Sequence, residues 1–230
     1  MREATTNIRL LFLLGLVLLG GLVATLMRDD VPEMLDGVPV VHPTATIDGL
    51  SLGQWSARHW QWTLGFPIAT NPGLDATGAS CGAGQDGPVF FIPRNFPPCT
   101  VPEGKYVLVP LVGTECSTVE PPPWHGGDEA ALRECAGADV DRYTGIVVRV
   151  DGVLVPEVGD FRALSPVFPV ELPESNVLGA PAGDADMVAD GYQLMLAPLP
   201  PGEHEIVVHV ELADGTVLPD KVLVLTVVAA

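Results

Sequence analysis

Proline and glycine interrupt this chain at short intervals: 23 Pro and 25 Gly in 230 residues. Proline breaks helix interiors and strand ladders, and glycine favours turns, so regular elements must be short and connections many. A protein of long helices is excluded. Hydrophobic residues make up 47% of the chain, enough to bury a core and too many for a disordered polymer. Between the breaks stand strand-like apolar runs: VFFI at 89–92, YVLVPLV at 106–112, YTGIVVRV at 143–150, GYQLMLAPL at 191–199, HEIVVHVEL at 204–212 and KVLVLTVV at 221–228. Asp151-Gly152, followed by VLVP, is a hairpin signal.

Alternation, close turn signals and the lack of a βαβ rhythm predict a mainly β protein, an antiparallel β-sandwich. Its last three strands read as the closing strands of an immunoglobulin-like domain. Residues 99–105 and the AGDAD stretch at 182–186 read as turn and loop. Two helices are expected. Residues 51–64 carry Ser51 as cap with Gln54 at the capping-box position, and Trp55, His59 and Trp62 fall on one face while Trp60 points elsewhere. Residues 127–136, capped by Asp128, form a short helical crossover inserted between two strands.

Residues 10–27, LLFLLGLVLLGGLVATLM, are largely apolar and uncharged, with Arg2 and Arg9 before them and Arg28, Asp29 and Asp30 after. The stretch spans about 27 Å as a helix, near the lower limit for crossing a bilayer. Residues 1–30 therefore read as a single-pass signal-anchor with the C-terminal part outside the cytoplasm, or as a signal peptide whose removal leaves a secreted or periplasmic protein. Residues 31–50, broken by Pro32, Pro39 and Pro43, read as an extended tether, and 51–230 as the extracytoplasmic domain. Cys81, Cys99, Cys116 and Cys135 all lie in that outer portion, which fits disulfides in an oxidising compartment. Sequential pairing is expected, because both loops are short and rich in turn residues. The formal charge of −18, spread along the chain, excludes nucleic-acid partners.

Trp55, His59 and Trp62 form an aromatic face that either buries against the sheet or offers a platform to a sugar. Asp75, Thr77, Gln85 and Asp86 supply oxygens of the kind Ca²⁺ takes, and Asp75 and Asp86 are the metal candidates, although the spacing is not that of an EF-hand loop. Paired carboxylates for glycosidic hydrolysis would be Asp75 or Asp86 with Glu115 or Asp190. No nucleophile elbow, zinc-protease helix or phosphate loop is present in the sequence. His204 and His209, an odd number apart, project from opposite faces of one strand.

W-x(4)-W-x-W at 55–62, NPGLDATGASC at 71–81 continuing to FFI at 92, CTVPEGKYVLVPLV at 99–112, VDGVLV at 150–155, FRALSPVFPVELPESNVLG at 161–179 and DGYQLMLAPLPPGEHEI at 190–206 together resemble an uncharacterised family of exported bacterial proteins. The likeness covers roughly residues 51–212. It implies export and one compact domain, assigns no catalysis, and directs attention to Trp55, Trp62, Asn71, Asp75, Cys81 and Gln85. The expected role is a cell-envelope module that binds a glycan or an envelope protein, or serves structurally. The alternatives are an extracytoplasmic hydrolase acting on a polysaccharide and an accessory subunit of an envelope protein complex.

Overall fold

The computed structural model describes residues 32–229. Two β-sheets with interspersed helices form a sandwich-like mixed α/β core. Helix α1 (Leu52–Leu64) comes first, then strands β1 (Val89–Phe91), β2 (Cys99–Pro102) and β3 (Tyr106–Ser117). Helix α2 (Glu129–Val140) follows, then β4 (Tyr143–Val150), β5 (Val153–Leu154), β6 (Phe168–Leu172), β7 (Gly183–Leu196), β8 (Gly202–Leu212) and β9 (Lys221–Val228). The four-stranded sheet has the order β1-β3-β7-β6 and the five-stranded sheet β2-β9-β8-β4-β5. Most neighbours are antiparallel, but β1–β3 and β2–β9 pair in parallel, so the sheets are mixed.

The β3–β7 ladder is the spine. It runs from Val107↔Leu196 to Ser117↔Met187, with a register shift between Pro110 and Val112. Proline has no N–H for the ladder, so a bulge there relieves an otherwise missing bond. Gly113 faces Gly191 across this ladder. A Cβ on Gly113 would lie 2.6 Å from the Asp190 carbonyl oxygen, and one on Gly191 would lie 2.5 Å from that of Val112. Only glycine at both positions allows the strands to cross so closely.

Strand parity then distributes the layers. Ala185, Met187 and Ala189 of β7 face α1, where they pack with Ala57, Trp60 and Leu64. Val188 and its partner Cys116 face the other way, against Leu132 and Ala136 of α2. Further along the ladder, Val109, Leu194 and Leu196 share one core with Val148, Ile206, Val208, Leu223 and Leu225 of the five-stranded sheet. Helix α2 thus sits within the crossover that carries the chain from β3 to β4, between the sheets.

Both helices begin as their sequences dictate. Ser51 accepts from the Gln54 amide while the Gln54 side chain accepts from the Ser51 amide. Asp128 accepts from the Ala131 amide. Cys81 is bonded to Cys99 and Cys116 to Cys135, with Cα separations of 5.7 and 6.1 Å. The second bridge fastens α2 to β3.

Three local expectations are corrected. Within the stretch read as an extended tether, residues 32–50 pack against the domain. Val40 bridges Leu196, Val41 donates to the Met195 carbonyl, and Val38, Val40, Val41 and Ile47 are buried in the core. The 99–105 turn contains β2, whose pairing partner lies over a hundred residues later at Leu225–Val228. The 182–186 loop is the start of β7, paired with β6. The transmembrane expectation is also corrected: among the described residues no helix is long and apolar enough to cross a membrane. The longest, α1, has 13 residues, about 20 Å against a hydrocarbon core of about 30 Å. Residues 10–27, on which single-pass anchoring and membrane contact rested, lie outside the described residues.

Removing the Cys116–Cys135 bridge by the double substitution Cys116→Ala, Cys135→Ser should lower stability by about 3 kcal/mol, as expected for a loop of this length. Urea unfolding of the oxidised protein measures it. An unchanged midpoint would show that α2 is held by packing alone.

Candidate functional site

Trp55, His59, Trp62, Asn71, Asp75 and Gln85 lie on α1 and in the loop that follows it. Trp55 and Trp62 flank Phe91, with ring centroids 6.2 and 5.8 Å from it, and His59 packs against the same ring at 5.8 Å. None of the three offers a platform, because Trp55, His59 and Trp62 are all buried. Both indole nitrogens and His59 Nε2 are turned to main chain, while His59 Nδ1 is buried without a hydrogen-bond partner among the described residues. The Trp55 indole donates to Ile47 O, the Trp62 indole to Ala83 O, and His59 Nε2 donates to Ile92 O. The Asn71 amide donates to Thr63 O and accepts from the Gly73 amide. Gln85 donates to Cys81 O and Phe91 O and accepts from the Phe91 amide. A turn-dense segment has too few internal partners for its own backbone, and these side chains supply them.

Asp75 is committed in the same manner. Its carboxylate accepts from the amide and hydroxyl of Thr77 and from the Ser80 amide. The Thr77 hydroxyl, followed by the amides, holds its pKa down at about 2. Asp75 and Asn71 border a shallow, open depression rimmed by Ile68 and Leu74. Among the described residues no three His, Cys, Asp or Glu side chains gather as metal ligands, and Asp86 joins no such group.

Two other ionic clusters stand away from that loop. Arg162 pairs with buried Asp190 through Nε and Nη2, the latter at 2.7 Å, and its Nη1 meets Asp141 at 2.7 Å. The Asp190 hydrogen bonds raise the arginine's pKa. This ties β7 to the end of α2. On the other face of the same sheet, Glu115 lies in line with Ala189. Burial, and then the charge of Glu120, lifts its pKa to about 7, against the opposing pull of Arg94. Arg94 itself stacks over Trp60 at 4.6 Å and donates to Gly113 O at 2.6 Å. Glu115 and Asp190 therefore project from opposite faces of one sheet.

The outer face of the five-stranded sheet is a further exposed surface. Both helices pack on the four-stranded sheet. Strand register aligns Leu154, Arg149, Val207 and Val222 across β5, β4, β8 and β9. Val147 stands opposite His209, and Val224 opposite Glu205. Val147, Leu154 and Val222 are 43%, 50% and 47% exposed. Val207 and Val224 are half-buried. Around this apolar centre stand exposed Glu203, Glu205 and Glu211 and the His209–Asp220 pair, 2.8 Å apart. Arg149 lies within the patch and donates to Gly152 O. The sequence reading missed this face. Its signal was present: GIVVRV, EIVVHV and KVLVLTVV carry apolar residues at consecutive positions, which strands with one solvated face lack.

No protein-family model matches the chain. No curated protein matches it either. Among solved structures, the chain is similar to one described as the solution structure of amebosin, at 12% identity, covering 62% of this chain and 96% of that one, with a TM-score of 0.21. A value that low carries no argument about fold or function.

The buried histidine gives the α1 region a pH signature. Desolvation, opposed by the bond to Ile92 and aided by Arg94, depresses His59 from 6.5 to about 3. The unfolded chain then takes up a proton before the folded one. Stability from this residue is complete above pH 6.5 and is lost as pH falls from there toward 3, at up to about 1.4 kcal/mol per pH unit. Urea midpoints between pH 6.5 and 4 should therefore fall more steeply for the wild type than for His59→Gln, which keeps a donor for Ile92. Parallel slopes would contradict a neutral, buried imidazole.

Proposed function

We propose that this protein is an accessory subunit of an extracytoplasmic protein assembly, docking its partner through the outer face of the five-stranded sheet. The observation that carries the reading is the valine-rich centre of that face inside a charged rim. Apolar centre and polar rim are the anatomy of a protein–protein interface. A flat surface of β-branched side chains suits another sheet or helix face, whereas a sugar site would be expected to bring aromatic planes. The rim is mainly acidic, so the partner that fits is a protein with an apolar patch inside a basic border. A second copy fits less well, since two chains of formal charge −18 repel.

The two disulfides support an oxidising compartment for this role. In this reading the chain belongs with the exported bacterial proteins that share its Trp-rich helix and its DGYxLxLxPLxPGxH segment. Strands β7 to β9, which pass the chain from one sheet to a hairpin in the other, support an immunoglobulin-like sandwich.

A photo-crosslinking residue at Val147 or Val222, in cells that make the protein naturally, tests the docking face. Both positions should yield the same discrete protein adduct, weakened at high salt, and a control at Leu74 should not. The captured protein should carry a basic surface. An adduct between two copies of this chain, or no adduct at either position, would overturn the reading.

A further inference from the structure

His204 sits where three segments meet. It lies near the start of β8, just after residues 197–201, APLPP, carry the chain from the four-stranded to the five-stranded sheet. Its ring is largely buried, and both nitrogens face acceptors. Nδ1 lies 2.7 Å from Asp151 Oδ2 in the β4–β5 turn, and Nε2 lies 2.9 Å from the Pro200 carbonyl oxygen in the crossover. A carbonyl can only accept, and an ionised carboxylate can only accept. Both contacts are hydrogen bonds only when both nitrogens carry protons. We infer that His204 is a proton-dependent latch, whose imidazolium form fastens the sheet-to-sheet crossover to the β4–β5 turn and whose neutral form must release one of the two.

The surroundings leave this choice to the imidazole. Asp151 is fixed independently of the ring. Its amide donates to Glu205 O, and its Oδ1 accepts from the Glu205 amide at 2.9 Å. With φ of 51°, followed by Gly152 at 79°, it is also held in the left-handed conformation of a tight hairpin turn. Across β9 the partner of His204 is Leu225, which is apolar and buried. The crossover contributes no ionisable side chain, and neither does VPVV at 38–41, where Pro39 O accepts from the Ala197 amide. On β8, Glu203 and Glu205 alternate to the opposite face. Asp151 is the one titratable group that faces the ring from these elements.

The neutral ring retains either bond but not both. With Nδ1–H, the Nε2 lone pair faces the Pro200 carbonyl. With Nε2–H, the Nδ1 lone pair faces a carboxylate. The charge-assisted bond to Asp151 is the stronger, so the Pro200 contact gives way and the crossover loosens. Burial alone would lower the pKa of His204, but the bonds to Asp151 and Pro200 and the Asp151 charge outweigh it and raise it. A raised folded value means that the stabilisation is complete below the unfolded value, about 6.5, and is lost as pH rises through the folded value. That window lies above the one governed by His59.

Long-range proton–nitrogen correlations from the imidazole side chains of the full-length oxidised protein test this directly. At pH 6.5 both nitrogens of His204 should show the imidazolium signature. On raising the pH, its loss should coincide with lower amide protection, corrected for the base-catalysed rise of intrinsic exchange, at Ala197, whose amide donates to Pro39 O, and in the Gly202–His204 stretch. Asp151→Asn keeps the turn and an acceptor for Glu205 while removing the charge, and should lower the titration midpoint by about one pH unit. In His204→Gln the pH-dependent loss of protection should disappear, leaving only the base-catalysed rise of intrinsic exchange. A His204 that is neutral at pH 6, a midpoint unmoved in Asp151→Asn, or crossover protection that falls with pH equally in His204→Gln would each overturn the latch.

Discussion

The β3–β7 ladder is the interaction on which the other layers depend. It is long enough for its two faces to hold different partners along its length. One face carries α1. The other carries the five-stranded sheet at one end and α2 at the other. Apposed glycines at 113 and 191 bring the strands together at the middle, near the change from one partner to the next. A one-residue slip of β3 would point Cys116 away from Cys135, and the same slip of β7 would exchange the faces of Ala189 and Asp190. The helix, the disulfide and the Arg162–Asp190 ion pair all follow from one register.

Irregular backbone is the second constraint. A chain with so much proline and glycine cannot satisfy its amides and carbonyls by ladders alone, and buried side chains complete the bonding. Gln85 bonds like a strand partner to Phe91, and Asn71 binds the end of α1 to the turn after it. Asn176 does the same in a second loop, bonding Pro173 O and Ala180 O. The motif with the strongest appearance of a binding site, NPGLDATGASC, is thereby explained as a folding device. Its polar residues point at main chain, and its disulfide joins it to β2.

This also explains what the sequence made legible. Helix α1 was readable from Ser51, Gln54 and the spacing of its tryptophans, because capping and helical periodicity are local. The β4–β5 hairpin was readable from Asp151-Gly152 for the same reason. Strand β2 and the first residues of β7 were not, since their partners at 225–228 and 168–172 are remote and their own composition is that of a turn. Val40 reads as part of a tether until Leu196 is placed beside it. The outer sheet face was encoded in consecutive apolar residues of β4, β8 and β9, but which of their two faces the helices leave open is decided by topology. The meeting of Arg94, Glu115 and Trp60 had no local signal, because it joins segments remote in sequence.

The proposed function resides in a surface rather than in a cleft. The conspicuous motifs build a rigid scaffold, and the scaffold presents a valine-rich sheet face with an acidic border. The most direct measurement is carbene footprinting of that face in the native envelope fraction, set against the purified protein. The account predicts that labelling of Val147, Val207 and Val222 is suppressed in the native fraction, while Ile68 and Leu74 label equally in both. Equal labelling of the sheet face in the two preparations would contradict it.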